Sequence, residues 1–168
     1  MCIRDSHQAT LTGHTGWVGA VAWSPDGTRL ATADDRGVSL WDPDTGCRRA
    51  TLTDHTNWVR AVAWSPDGTR LATADFGEVL LWDPATGHHQ ATLTGHTDWV
   101  RAVAWSPDGT HLATAGSGGD IRLWDLSRVD HQTYLQVDPL ACLQWADSGI
   151  AVGGANGVLV LDLAHRHP

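Results

Sequence analysis

The sequence predicts an all-β chain built from about four copies of one four-stranded antiparallel unit. Three observations carry that prediction. The run His14-Thr15-Gly16-Trp17-Val18 returns as His55 to Val59 and as His96 to Val100, 41 residues on each time. Gly, Pro and Asp clusters punctuate the chain every 8–12 residues or so, the spacing of short strands. No segment carries the 3.6-residue apolar period of a helix.

Each element follows from the first unit. Trp17 to Trp23 is apolar and β-branched at intervals and reads as the first strand. Ser24-Pro25-Asp26-Gly27 is a turn, because Pro presets the backbone for a type I turn and Gly closes it. Arg29 to Ala33 reads as the second strand, ended by Asp34-Asp35-Arg36-Gly37. Val38 to Trp41 is the third, ended by Asp42-Pro43-Asp44-Thr45-Gly46, and Arg48 to Leu52 is the fourth. Ala20 to Thr28 returns unchanged at Ala61 to Thr69 and at Ala102 to Thr110. Leu40-Trp41-Asp42 returns as Leu81-Trp82-Asp83 and, with one residue inserted, as Leu123-Trp124-Asp125. A degenerate last unit keeps Gln144-Trp145 and Val160-Leu161-Asp162.

The Gly13-His14 pair, the Ser-Pro-Asp-Gly turn and the Trp-Asp ending resemble WD40 repeats over nearly the whole chain after Ser6. The resemblance implies a β-propeller of four-stranded blades, here partial: about four blades in an open arc or incomplete ring. Units are expected at 14–53, 54–94 and 95–138, with the degenerate unit at 139–163 and a tail at 164–168. In the family a network joins the Gly-His histidine, a strand hydroxyl, a turn Asp and the Trp. Carried over, it implies His14, Thr32, Asp35 and Trp41 in unit 1, and His55, Thr73, Asp75 and Trp82 in unit 2. Unit 3 supplies His96, Thr114 and Trp124, but Ser117-Gly118-Gly119 stands where the acidic turn is expected. The hydroxyls also sit off their commonest family position, so an incomplete network is expected in every blade.

His7 to Thr12 matches the fourth strand of a unit whose other strands are absent, and residues 7–13 are expected to belong to a missing upstream blade. Propellers of this kind commonly hold seven or so blades. The chain is therefore expected to be the C-terminal part of a longer propeller. Met1 to Ser6 shares nothing with the units and is expected to be a non-native leader encoded by a sequencing adapter.

Composition excludes other classes. The net charge of −8 comes largely from Asp residues in turns, such as Asp26, Asp67 and Asp108. Nucleic acid is not the expected partner, since phosphate contacts need clustered basic groups. Cys2, Cys47 and Cys142 are too scattered for a disulfide framework or zinc site, which fits a cytoplasmic location. No apolar run approaches the roughly 20 residues that span a bilayer, so no membrane partner is expected. All basic side chains among the 11 Lys and Arg are Arg, a hint of a GC-rich source genome.

The resemblance places partners on the top face, at the loop before each first strand. The corresponding residues are Trp17, Trp58 and Trp99, with Gly19, Arg60 and Arg101 two positions on. Trp and Arg dominate binding hot spots, which fits a protein or peptide partner. The alternative is that each Trp packs against a neighbouring blade's loop. Trp23, Trp64 and Trp105 end the first strands at an apolar position and are expected in the inter-blade core. His88-His89 and His165-Arg166-His167 lack the partners of a metal site. Gly116 to Gly119 and Gly153 to Gly157 join strands and open no helix, so they read as hairpin turns and no cofactor is expected. No catalytic constellation appears outside positions with structural duties.

The resulting expectation is a non-catalytic interaction scaffold. An alternative is the sensor or autoinhibitory tail of a larger bacterial signalling protein with a nucleotide-binding, kinase or protease-like effector upstream; a propeller enzyme is a remote third. Near identity among the units fits recent duplication, and also one epitope presented several times.

Overall fold

The computed structural model describes residues 10–14, 16–35, 37–127, 132–136, 140–146, 149–154 and 157–162, with side chains described through Ser127 and at Gln144 and Trp145. The leader at 1–6, residues 7–9, Thr15, Arg36 and the tail with His165 and His167 lie outside the described residues.

Among the described residues every regular element is a strand, and every pairing is antiparallel. The first blade is β1 (Ala20–Trp23), β2 (Leu30–Asp34), β3 (Gly37–Trp41) and β4 (Arg48–Leu52), hydrogen-bonded in that order. The second holds β5 (Ala61–Trp64), β6 (Leu71–Ala74) and β7 (Phe76–Trp82). Next comes β8 (His89–Trp105), which pairs with β7 from His89 as far as Trp99 and with β9 (His111–Gly116) from Val100 to Trp105. β10 (Asp120–Asp125) and β11 (Gln132–Gln136) complete the third blade. β12 (Leu140–Ala146), β13 (Gly149–Gly154) and β14 (Gly157–Asp162) form a three-stranded fourth sheet. β1, β5, the last part of β8 and β12 lie side by side, so the blades are arrayed along their inner strands.

Three strand boundaries differ from the sequence expectation. The inner strands of the first two blades begin at Ala20 and Ala61, leaving Trp17 and Trp58 in the preceding loop. The outer strand of the second blade and the inner strand of the third run on as the single strand β8. Thr10 to Thr12, placed in an outer strand by the repeat pattern, are not in a strand.

The period of two that places successive side chains on opposite faces also divides the core. On β7, Leu80 and Trp82 join a cluster with Ala31, Leu40 and Trp64 of the first two blades. Val79 and Leu81 join a cluster with Val100, Trp105 and Leu112 on the other side. The second blade is thus a two-sided apolar wedge, as stacking of repeats requires. Three indole N–H bonds stitch the blades. Trp64 donates to the Ala22 carbonyl (3.0 Å), Trp105 to that of Ala63 (3.0 Å) and Trp145 to that of Ala104 (2.8 Å).

Trp23 corrects the expectation of a core position. It is 55 % exposed, against 8 % for Trp64 and 7 % for Trp105, and Val21 beside it is exposed too. The residue type is the same; Trp64 and Trp105 each bond the inner strand of a preceding blade, and no such bond from Trp23 occurs among the described residues.

Candidate functional site

One end of each inner strand is closed by the Ser-Pro-Asp-Gly turn. Ser24 Oγ donates to Asp26 Oδ1 (2.6 Å), the Thr28 amide donates to the same oxygen (3.0 Å), and the Arg29 amide donates to Ser24 Oγ (2.9 Å). The same bonds recur at Ser65 and Ser106. Together the Ser24 hydroxyl and the Thr28 amide hold the Asp26 carboxyl down at about 2, and the Ser106 and Thr110 groups do the same for Asp108. A cavity of about 310 Å³ lies at this end, between Pro25, Asp26 and Arg29 of one blade and Trp64, Pro66 and Asp67 of the next. Its carboxylates are already engaged by their own turns.

Between strands runs the histidine network. In the second blade Trp82 Nε1 donates to Thr73 Oγ1 (2.7 Å), Thr73 Oγ1 meets His55 Nε2 (2.6 Å), and His55 Nδ1 meets Asp75 Oδ2 (3.1 Å). A carboxylate only accepts, so Nδ1 carries a proton and donates to Asp75. In the first blade the chain runs from Trp41 to Thr32 (2.7 Å) to His14 (2.9 Å) and on to Asp34 (2.8 Å). The carboxylate is Asp34, not Asp35. Thr32 and Asp34 are two apart and share a strand face, whereas Asp35 points away and is exposed.

The third blade corrects the expectation of an incomplete network. Trp124 donates to Thr114 (2.8 Å), Thr114 meets His96 (2.7 Å), and His96 Nδ1 bonds Asp120 Oδ2. Asp120 begins β10, across the turn from Gly116, which stands at the position of Asp34 and Asp75. A Cβ on Gly116 would run into the Asp120 carboxylate and the His96 ring. Glycine on one strand thus makes room for the acid on the other. The signal in the sequence was the pairing of a missing acid before a long glycine turn with an acid just after it.

Burial lowers the pKa of His96, and Arg122 adds to this, while Asp120 opposes it. Folding therefore disfavours its protonation, and the unfolded chain binds that proton first, near the ordinary value of about 6.5. The His96 contribution to stability is expected to fall as pH drops below about 6.5. The depressed turn aspartates add stability above about pH 4 that is lost as pH falls toward their folded values. A ring-carbon NMR titration of His96 with its midpoint above the ordinary histidine value would contradict this assignment.

At the opposite end of the inner strands lies the predicted partner face. Trp17 is 89 % exposed and Trp58 54 % exposed, so neither packs fully into a neighbouring loop. Trp99 is half-buried, with Phe76 edge-on to it at 5.4 Å between ring centroids. The Arg60 guanidinium lies between the two rings, 4.5 Å from the Trp99 centroid and 5.8 Å from that of Trp58. Its backbone N–H is fixed to the Ala74 carbonyl (2.8 Å). Arg101 is exposed and donates from Nε to Ser117 Oγ (2.8 Å); Gly19 holds the same place in the first blade and offers no side chain. Phe76 was not singled out from the sequence, because it falls in a turn where the other units carry polar residues or glycine. His89 packs on Trp82 and bonds Thr92, and among the described residues no three metal-ligating side chains come together.

The family model described as "WD domain, G-beta repeat" matches residues 5–42, 46–83 and 87–125, more than half of the chain. The chain is 50 % identical over 38 residues to the 66 kDa stress protein of Physarum polycephalum, covering 22 % of this chain and 6 % of that protein. It is 56 % identical over 39 residues to Protein Mut11 of Chlamydomonas reinhardtii, covering 23 % of this chain and 10 % of that one. Among solved structures, that of U3-55K superposes with a TM-score of 0.78 at 22 % identity, over 90 % of this chain and 54 % of the other. The match spans a small share of the two sequence relatives and about half of the structural one.

Proposed function

This chain belongs to the WD40-repeat family, and on that premise we propose that it is a non-catalytic docking platform, cytoplasmic in location, whose rim at Trp58, Arg60 and Trp99 receives a protein or peptide. The observation that carries the reading is the Arg60 guanidinium stacked between two partly open indoles. Aromatic rings and arginine supply most binding energy at protein interfaces, because they bury large area with few rotatable bonds. His14, His55 and His96 are committed to buried networks with Asp34, Asp75 and Asp120.

A second reading has the exposed face around Trp23 covered by further blades. In it the platform is the C-terminal sensor or autoinhibitory module of a larger bacterial signalling protein, and preceding blades of that protein cover the face.

A phage-displayed random peptide library selected on the immobilised chain tests the docking rim. Enriched clones are expected to lose at least about tenfold in binding on Trp58→Ala/Trp99→Ala, the effect of about 1.4 kcal/mol. They are expected to bind Arg29→Ala, a change at the opposite end, as they bind wild type. Enriched clones insensitive to the rim substitutions would place docking elsewhere.

A further inference from the structure

We propose that the Arg60 pocket recognises a carboxylate: the docking partner presents an Asp or Glu side chain flanked by apolar residues. This rests on the rim reading above and names the chemistry of its centre.

Among the described residues the Arg60 side chain makes no hydrogen bond or ion pair, and its Nε is buried without a partner. A guanidinium carries five N–H donors in a planar fork and no acceptor. Contact of the guanidinium carbon with the two rings engages its face, and among the described residues its donors have no protein partner. A buried donor left unmade carries a cost in the free chain, and a ligand that seats acceptors against the guanidinium offsets it.

The geometry favours one ligand class. A carboxylate meets the fork of a guanidinium through two parallel N–H···O bonds, and charge assistance makes such bonds roughly twice as strong as neutral ones. The surrounding indoles of Trp58 and Trp99 and the exposed ring of Phe76 are apolar contact area, which fits side chains flanking the acid. A singly charged group suits a pocket with one stacked guanidinium on a chain of net charge −8, where a phosphate dianion would be repelled more strongly. Among the described residues this cluster occurs once. Gly19 leaves the first blade without a guanidinium at this position, and in the third blade Arg101 is tied to Ser117 and exposed. Units 2 and 3 thus share the arginine, and its surroundings differ: Arg60 lies against two indoles and Arg101 is bonded to Ser117.

Degenerate peptide libraries differing only in a fixed central residue test this, with Glu, Gln or phosphoserine at the centre and random flanks. Retention on the immobilised full chain is measured for wild type, Arg60→Gln and Arg60→Lys. The Glu-centred library is expected to be retained about fivefold or more above the Gln-centred one, a charge-assisted against a neutral bond. Arg60→Gln is expected to remove that difference while keeping a cooperative melt, since the ring contact is lost but no hydrogen bond of the free chain is. Arg60→Lys is expected to keep only part of it, having charge without the planar fork. Equal retention of Glu and Gln libraries, with both lost on Trp58→Ala/Trp99→Ala, would overturn the carboxylate inference and leave the docking rim standing. A Glu preference that survives Arg60→Gln, stronger retention of phosphoserine than Glu, or no retention of any library would overturn it as well. The phage selection, which fixes no residue, reports separately on whether the rim docks peptides.

Discussion

Trp82→Ala is expected to abolish the cooperative unfolding transition of the chain. Trp82 is 2 % exposed and sits in the cluster shared by the first two blades. Truncating a buried Trp costs about 3–5 kcal/mol through lost burial and the cavity left behind. The total stability of a domain is only about 5–15 kcal/mol, and an arc whose end blade is bare on one side starts low in that range. The lost indole also strips Thr73 of its buried donor, with His55 and Asp75 beyond it almost wholly inaccessible. Thr73→Val separates the two effects. It keeps the shape and removes the hydroxyl, so the Trp82 N–H and His55 Nε2 lose their shared partner at about 1–3 kcal/mol each. Urea unfolding followed by near-ultraviolet circular dichroism is expected to show a lowered midpoint for Thr73→Val and no transition for Trp82→Ala. A wild-type midpoint for Trp82→Ala would mean that the network and its Trp carry no stability.

The second large effect concerns the bare face of the first blade. Val21 and Trp23 lie two apart on β1 and point to the side where Trp64 and Trp105 find a preceding blade. A contiguous apolar face with an exposed indole favours self-association, and each fully buried large side chain contributes roughly 1.5–3 kcal/mol. The 168-residue chain, 18.1 kDa as a monomer, is expected to run as larger, concentration-dependent species in light-scattering chromatography. Val21→Lys/Trp23→Lys is expected to shift it toward the monomer without loss of strand content. The same change at Trp64 is expected to unfold the chain, because it buries an unpaired charge between blades. A wild-type chain that stays monomeric at all concentrations would show that this face is inert.

Much of this was legible in the sequence because the repeat makes each unit a template for the others. The turn chemistry at Ser24, Ser65 and Ser106 follows from identical residues and recurs bond for bond. Three features were not legible, each for a physical reason. Whether the acid is Asp34 or Asp35 depends on strand alternation continuing to the end of β2, and strand ends are where the pattern is weakest. Asp120 was missed because a longer turn moved the acid to the next strand, so position-by-position comparison found Gly116 instead. Trp23 was misplaced because burial belongs to a residue and its neighbour together, and the repeat pattern reports only the residue. The rim is a mixed case. Trp58, Arg60 and Trp99 stand out by type, yet their convergence crosses from one blade to the next and depends on how the blades are set side by side.

The central claim is that docking occurs on the rim between the second and third blades. Hydrogen–deuterium exchange of the full chain, with and without a peptide enriched in the selection, addresses it most directly. Protection is expected to concentrate in the loop and strand start around Trp58 to Ala61, the turn at Phe76, and β8 around Trp99. The Ser-Pro-Asp-Gly turns at the opposite end are expected to exchange as in the free chain. Protection confined to those turns, or to the face around Trp23, would contradict the account and move the docking site off the rim.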